Sequence, residues 1–481
     1  MAHNHVTTIG LEIHVELHTA TKMFCACPVG FGGEPNSRVC PVCLGHPGTL
    51  PVPNERAIEF TEKIALALGC EVARRSIFHR KNYFYPDMPK NYQISQYDIP
   101  VGSRGVVEVE VEGVTHRVGI TRVHLEEDTG KSLHMGGEGR IHGADYSLED
   151  FNRAGTPLVE IVTEPDITSA EVAKAFAQEL RTILEFLEVS DVKMEEGSLR
   201  VDANVSVAPP GERGVKLEVK NMNSMRSLYR ALLFEEARLQ TALETGEEIV
   251  QATRHWDEKA GVTRIGRTKE FSEDYRYFSE PDLCPIEPSV EWLRQLREEL
   301  PESPSDRRKR FTDEGLSAYD AGVLTSSKVI ADFFERASGV SSAGAKPVAN
   351  WIANDLIGLL SERSEDLSQA SITPEALAAL VDKVAEGAIS KNQGKTALAE
   401  MLATGGSLDE VIEKGGLAQV SDRAELEAAV DEALRANPEI VERLKAGDRK
   451  PMGFLIGQII KATKGKGNPA IINEILKERI G

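Results

Sequence analysis

Nowhere in this 481-residue chain is there an uninterrupted apolar run of the roughly 18 to 20 residues that a membrane helix needs. Met1 to Gly10 has neither the basic start nor the apolar core of a secretory signal, so a cytoplasmic protein without a membrane partner is expected. Positive charge is also in deficit. With 56 Lys and Arg against 76 Asp and Glu, the formal net charge is −20, and most of the surface would repel phosphate at long range. That excludes a protein that coats nucleic acid non-specifically but leaves room for a local basic site. Six cysteines are too few for a disulfide framework in a chain this long. No Walker A loop is present: Gly130, Lys131 and Ser132 look like its end, but Leu125 stands where its first glycine belongs. There is no G-x-S-x-G element, and no Cys/His pair stands out as a nucleophile. If the reaction consumes ammonia, the chain has no visible means of releasing it from glutamine.

What is present suggests several domains. The length corresponds to about three domains at roughly 150 residues each, and 41% hydrophobic and 27% charged residues are ordinary for a globular protein. To about residue 290 the pattern is one of short alternating strands with two inserted helices, and beyond that it is helical. Pro281, Pro285, Pro288, Pro301 and Pro304 punctuate the change, and glycines at 405, 406, 415 and 416 mark a weaker break.

Strand alternation is clearest in Ile9 to His18, where Leu11, Ile13, Val15 and Leu17 oppose Glu12, His14, Glu16 and His18. The same design recurs in Leu199 to Val207, in Leu217 to Lys220 and in Val107 to Glu112. One apolar and one polar face predict an antiparallel sheet, because buried parallel strands are apolar on both faces. A helix opening at Thr168 and Glu171, with Val172, Phe176, Leu180, Ile183, Leu184 and Leu187 at helical spacing, is expected to cover the apolar face.

Four cysteines form two close pairs, Cys25 and Cys27, then Cys40 and Cys43, with twelve residues between the pairs. Four thiolates so placed can wrap a tetrahedral Zn²⁺, and with no open position implied the metal would be structural. Cys70 and Cys284 are isolated and are expected to be buried, unreactive thiols. Glu12, His14 and Glu16 share one strand face, where they can converge on a hard cation or line a solvated surface. Further acidic groups recur at Glu126, Glu127 and Asp128 and at Asp257 and Glu258. Adjacent strand residues point to opposite faces, so at most one of Glu126 and Glu127 would face such a site unless the chain turns. Carboxylates gathered on a concave sheet suit Mg²⁺ beside the phosphates of ATP, with Arg200, Lys220 and Arg254 offsetting phosphate charge. Lys81 to Asp87 and Tyr92 to Gln96 are dense in polar aromatics, which can stack on an RNA end or simply anchor a buried loop. From Lys445 to Gly481 eight basic residues face three acidic ones, and Lys461, Lys464 and Lys466 beside Gly465 and Gly467 suit phosphate contact or a solvated turn.

Seven stretches carry a family resemblance: Gly10 to Leu17, Arg80 to Asp87, Asn91 to Gln96, His124 to Gly130, Asn152 to Glu160, Asp191 to Arg200 and Asp274 to Phe278. With Met452 to Gln458 near the end, the chain resembles over its whole length the B subunits of bacterial aspartyl/glutamyl-tRNA amidotransferases. The resemblance implies an α+β architecture: a mainly antiparallel, glutamine-synthetase-like cradle domain (1–294) with a zinc-binding insertion, an all-α helical domain (295–413) and a small α-helical tail (414–481) that helps hold tRNA. It implies ATP-dependent phosphorylation of the side-chain carboxylate of Glu-tRNA(Gln) or Asp-tRNA(Asn), followed by amidation with ammonia. An amidase-type A subunit would supply the ammonia, assisted by a small C subunit. Carried over by motif, Glu12, His14, Glu127 and Glu258 would hold Mg²⁺, and Lys81 would lie near the ammonia route. Some members look to lack the four cysteines, which makes zinc a scaffold feature. The competing functions are a tRNA-positioning subunit without chemistry, which should be lined with cations, and a ligase for a small carboxylic acid, which would not need the basic tail.

Overall fold

The structure, a computed structural model, describes residues 5–136, 144–266, 272–415, 423–445, 451–463 and 469–480. It divides into two compact units, Met1–Pro304 and Ser305–Gly481.

The first unit is built on a sheet of nine strands. In chain order the strands of this unit are β1 (Val6–Glu16), β2 (Glu71–Val72), β3 (His79–Asn82), β4 (Tyr92–Ser95), β5 (Gly102–Val111), β6 (Val114–Glu127), β7 (Lys131–Met135), β8 (Tyr146–Asp150), β9 (Pro157–Thr163), β10 (Leu199–Ala208), β11 (Leu217–Lys220), β12 (Thr253–Asp257), β13 (Val262–Ile265) and β14 (Phe278–Ser279). The large sheet runs β13-β12-β11-β10-β1-β9-β6-β5-β2, while β14-β3-β4 and β7-β8 form two smaller sheets. Within the large sheet every pair is antiparallel except β11 with β12. The expected antiparallel sheet with two unlike faces is therefore present.

Alternation decides what each face does. Leu11, Ile13 and Val15 of β1 and Val201, Ala203 and Val205 of β10 are buried in one core with Phe176, Leu180 and Leu184 of α2 (Ala170–Phe186) and Leu228, Leu232 and Leu239 of α3 (Met225–Thr245). Each fully buried side chain of this size contributes about 1.5–3 kcal/mol, which fixes the strand register because a one-residue slip would turn the whole set outward. The cap of α2 is Ser169, whose hydroxyl accepts from the Val172 amide, and not the expected Thr168. Ser224 caps α3 in the same way, and Gly246 ends it in the left-handed conformation (φ 71°) that glycine adopts without steric cost. Asn54 caps α1 (Glu55–Ala67).

A helix at Val290–Glu299 also belongs to this unit: Trp292 Nε1 donates to Glu62 of α1 at 2.6 Å, and Lys63 pairs with Glu299 at 3.1 Å. In the second unit all described elements are helical, and its buried residues form two separate clusters. One runs from Phe311 to Val411 and the other from Leu426 to Leu476. Among the described residues no helix is long and apolar enough to cross a membrane.

Candidate catalytic site on the polar face of the sheet

Register sets the site. His14 of β1 stands opposite Arg200 of β10 on one side and Glu160 of β9 on the other, and Glu160 stands opposite His124 of β6. Four neighbouring strands thus place Arg200, His14, Glu160 and His124 in one row across the polar face. Glu126, two residues beyond His124, projects from the same face. His14 Nε2 lies 3.5 Å from Glu160 Oε2 and 3.8 Å from Glu126 Oε1, and one ligand atom from each of the three lies within 4.8 Å of the others. His124 Nε2 stands behind them, 3.3 Å from Glu160 and 3.6 Å from Glu126.

The carboxylates are nearly enclosed while the imidazole is open. The side chains of Glu126 and Glu160 are 3% and 10% exposed, whereas His14 is 20% exposed, so the group opens at His14. Burial opposes ionisation of Glu160, but the charge and hydrogen bond of His124 and the hydrogen bond of His14 outweigh it and hold its carboxyl well below the usual range. Burial likewise opposes ionisation of Glu126; the His124 hydrogen bond and the Lys81 charge lower it. In return Glu160 carries His124 up to about 9 against the effect of burial. Buried carboxylates that stay ionised need compensating positive charge, which His124 and Lys81 supply from one side. One imidazole nitrogen and two carboxylate oxygens facing inward are donors that a hard divalent ion accepts, so the residues fit Mg²⁺.

Two flanking clusters share the face. Asp128, 2% exposed at its side chain, pairs with Arg200 and lies 3.5 Å from Arg153 Nε. Burial and the neighbouring Asp128 push Glu16 up to about 8. On the other flank Asn204 donates to Glu12 at 2.8 Å, and Lys220 pairs with Asp202 at 2.7 Å and Glu218 at 3.5 Å. Glu12 is therefore one row away from the His14 group, held by Asn204. Lys81 lies on β3, with its ammonium 5.1 Å from the Tyr275 ring centroid and 6.0 Å from that of Tyr83. Burial works against its charge, but the charges of Glu126 and Glu160 outweigh it and raise its pKa.

Three residues assigned to the site by sequence are not brought to it. Glu127 projects from the opposite face of β6, pairing with Lys90 and accepting from the Ile94 amide at 3.0 Å, because strand alternation separates it from Glu126. Glu258 accepts from Ser227 at 2.7 Å and Arg230 at 3.0 Å, both on α3, the helix packed on the apolar face. Arg254 alternates with His255 onto that face as well, where it donates to the buried Glu235 at 2.9 Å and to Thr263. Sequence reasoning gave no metal role to Glu126 and left out Glu160 and His124. The signal for Glu160 was a single charge inside the otherwise apolar run Pro157–Thr163.

The four cysteines do come together. Their sulfurs lie within 4.8 Å of one another, Cys40 and Cys43 being 3.9 Å apart, and none is in a disulfide. A tetrahedron with Zn–S bonds of about 2.3 Å has edges of about 3.8 Å, so the set fits zinc. A hydrogen bond from Cys25 holds the Cys43 thiol down at about 4 in spite of burial, helped by the Cys40 amide and the Lys22 charge. A cavity of about 220 Å³ lies against this centre, lined by Lys22, Cys25, Cys43, Lys90 and Glu127. Of the three tail lysines, Lys461 is exposed in the last turn of Met452–Ala462, and Lys464 and Lys466 lie outside the described residues.

Comparison with known proteins places this architecture. Residues 7–294 match the family described as GatB/GatE catalytic domain, and residues 332–480 match the GatB domain. The chain belongs to the GatB family. It is 53% identical over 475 residues to the B subunit of the aspartyl/glutamyl-tRNA(Asn/Gln) amidotransferase of Moorella thermoacetica, covering 98% of this chain and 99% of the relative. The protein of the same name from Carboxydothermus hydrogenoformans is 48% identical over 476 residues, 98% of each chain. The GatB catalytic match coincides with the sheet unit that carries His14, Glu126 and Glu160.

Proposed function

We propose that this chain activates the side-chain carboxylate of Glu-tRNA(Gln) or Asp-tRNA(Asn) with ATP and amidates it with ammonia, giving Gln-tRNA(Gln) or Asn-tRNA(Asn). The observation that carries this reading is the convergence of His14, Glu126 and Glu160 on a polar face that also carries the cations Arg200 and Lys220. The names of its close relatives support the substrate.

A carboxylate is a poor electrophile and its oxygen a poor leaving group. In the reaction proposed, the substrate carboxylate oxygen attacks the γ-phosphorus of ATP and ADP departs, leaving an acyl phosphate. Ammonia then attacks the acyl carbon, expelling inorganic phosphate and a proton. His14, Glu126 and Glu160 would hold Mg²⁺, with Glu12 close by. When bound, the ion neutralises charge on the phosphates. Arg200 and Lys220 turn guanidinium and ammonium groups to the same face and would orient phosphate oxygens, while Lys81 and its tyrosines close one end against water.

The rest of the reading follows the family. The sheet unit would be a glutamine-synthetase-like cradle, the centre at Cys25, Cys27, Cys40 and Cys43 a structural zinc site, and Lys461, Lys464 and Lys466 contacts for the tRNA backbone. An amidase-type A subunit would deliver ammonia and a small C subunit would complete a cytoplasmic heterotrimer. Partner chains are supported by the relatives' names, which make each of them one subunit of an amidotransferase.

The test is amidation by the assembled complex with ammonium chloride in place of glutamine, using Glu-tRNA(Gln), ATP and Mg²⁺, for wild type and His14→Ala. Loss of Gln-tRNA formation with tRNA binding intact is expected. Unchanged turnover would move the chemistry out of this chain and leave it a tRNA-positioning subunit.

A further inference from the structure

Lys22 is 1% exposed. Its ammonium donates to the Phe151 carbonyl at 3.1 Å and lies 3.7 Å from Cys43 Sγ, and among the described residues no carboxylate comes within the 4 Å of an ion pair. Removing an ammonium from water costs several kcal/mol unless an anion meets it, and a carbonyl supplies only a dipole. The anion on offer is Cys43, the one cysteine of the four that is buried.

The metal centre has the opposite need. Four thiolates around Zn²⁺ carry a net charge of −2, and buried sulfurs of this kind are stabilised by donors outside the ligand set. Cys43 already accepts from the Cys40 amide at 3.2 Å. Lys22 touches the centre a second time through its backbone, whose N–H donates to the Cys27 carbonyl at 2.9 Å. Backbone packs close on one side of these contacts, while the cavity described above opens on another. Gly155 (φ +86°) lies against them, and a Cβ there would meet Lys22 Cδ at 3.5 Å and Cys43 Cβ at 3.6 Å.

We propose that Lys22 is the counter-ion and positioning residue of the four-cysteine metal centre: its ammonium offsets one of the two excess negative charges and ties Cys43 to the Phe151 carbonyl. This rests on the reading that the four cysteines hold a metal. It also gives the centre a route to the polar face, since the segment from Phe151 to Thr156 carries Arg153, whose guanidinium reaches Asp128.

The experiment uses the full-length chain, wild type, Lys22→Met and Lys22→Gln. Metal affinity is read by chelator competition with Zn²⁺ and from the absorption bands of the Co²⁺-loaded protein, and the melting temperature is taken loaded and stripped. Lys22→Met keeps the volume and removes the charge. It is expected to weaken metal binding by about 10- to 100-fold, a typical effect of losing a partner of a metal ligand, while the Co²⁺ bands keep their tetrahedral thiolate form. The variant should melt lower than wild type when loaded and no lower when stripped, because the stripped wild type keeps a buried ammonium without its full counter-charge. Equal affinity, or an equal loss of melting temperature in both states, would make Lys22 a packing residue and overturn the inference. Lys22→Gln retains a donor without charge and covers the case in which the methionine variant does not fold. Binding as tight as wild type in Lys22→Gln would also overturn it. A wild-type chain that takes up neither Zn²⁺ nor Co²⁺ would instead overturn the four-cysteine reading itself.

Discussion

Glu126 and Glu127 are neighbours in sequence and lie on opposite faces of the sheet: Glu126 approaches His14 Nε2 at 3.8 Å, while Glu127 pairs with Lys90 beside the four-cysteine centre. The peptide between them continues β6, paired with β9 through Leu158 and Pro157, so no turn brings the second carboxylate round. Two acids that a motif presents as a unit therefore have separate work.

Their variants should separate accordingly. In the ammonia-dependent assay, Glu126→Gln should raise the Mg²⁺ needed for half-maximal turnover by about tenfold or more, as expected when a metal site loses an oxygen donor. Glu127→Gln should leave the Mg²⁺ requirement within about twofold and act instead through the unpaired Lys90. Equal shifts in the two titrations would return Glu127 to the metal.

Thiol counting tests the cysteine assignments together. At pH 8 in native, metal-loaded protein a thiol reagent should label one cysteine, Cys284, which is exposed and not buried as expected from sequence. Chelation should release four more. Burial, offset in part by the Gly105 backbone bond, pushes Cys70 up to about 11. Its thiol therefore stays protonated at pH 8 and should react only on unfolding or at pH values approaching 11. Labelling of five cysteines without chelator would remove the metal.

The faces of β1 and β10 were legible because their period of two is unbroken: Leu11, Ile13 and Val15 point in, and Glu12, His14 and Glu16 point out. What alternation cannot supply is which strands become neighbours. His14 meets Glu160 because β9 inserts between β1 and β6, a crossover set by the packing of the whole sheet. Strand β9 is apolar on both sides of its single glutamate, so it reads as a buried strand with one odd charge. The gathering of the four cysteines was legible for the opposite reason, since they are local in sequence and need only two turns. Arg254 was misplaced because β12 is short and carries no run of aliphatic residues to declare its faces.

The two cations Arg254 and Lys220 provide a direct check of that placement. Arg254→Met strips one of two guanidinium groups from Glu235, whose side chain is fully buried and keeps Arg238 at 2.6 Å, and should destabilise the sheet unit by about 2 kcal/mol without changing the apparent affinity for ATP. Lys220→Met should do the reverse, raising KM for ATP several-fold with little change in melting temperature. A shared KM effect would bring Arg254 back to the nucleotide.

The tail test depends on where the chain is cut. Removing Lys445 to Gly481 would take Leu455, Ile459, Ile472, Ile475 and Leu476 from a cluster that Leu426, Val430 and Leu444 also belong to, leaving those three exposed. A stop after Gly415 removes the cluster whole and leaves the Phe311 to Val411 core intact. If the basic end contacts the tRNA backbone, this truncation should raise KM for charged tRNA by about tenfold. It should also flatten the salt dependence of binding, because fewer counterions are released, with kcat in the ammonia assay little changed. An unaltered KM and salt slope would assign tRNA binding to the sheet unit, and a collapse of kcat at saturating tRNA would give the tail a part in the chemistry.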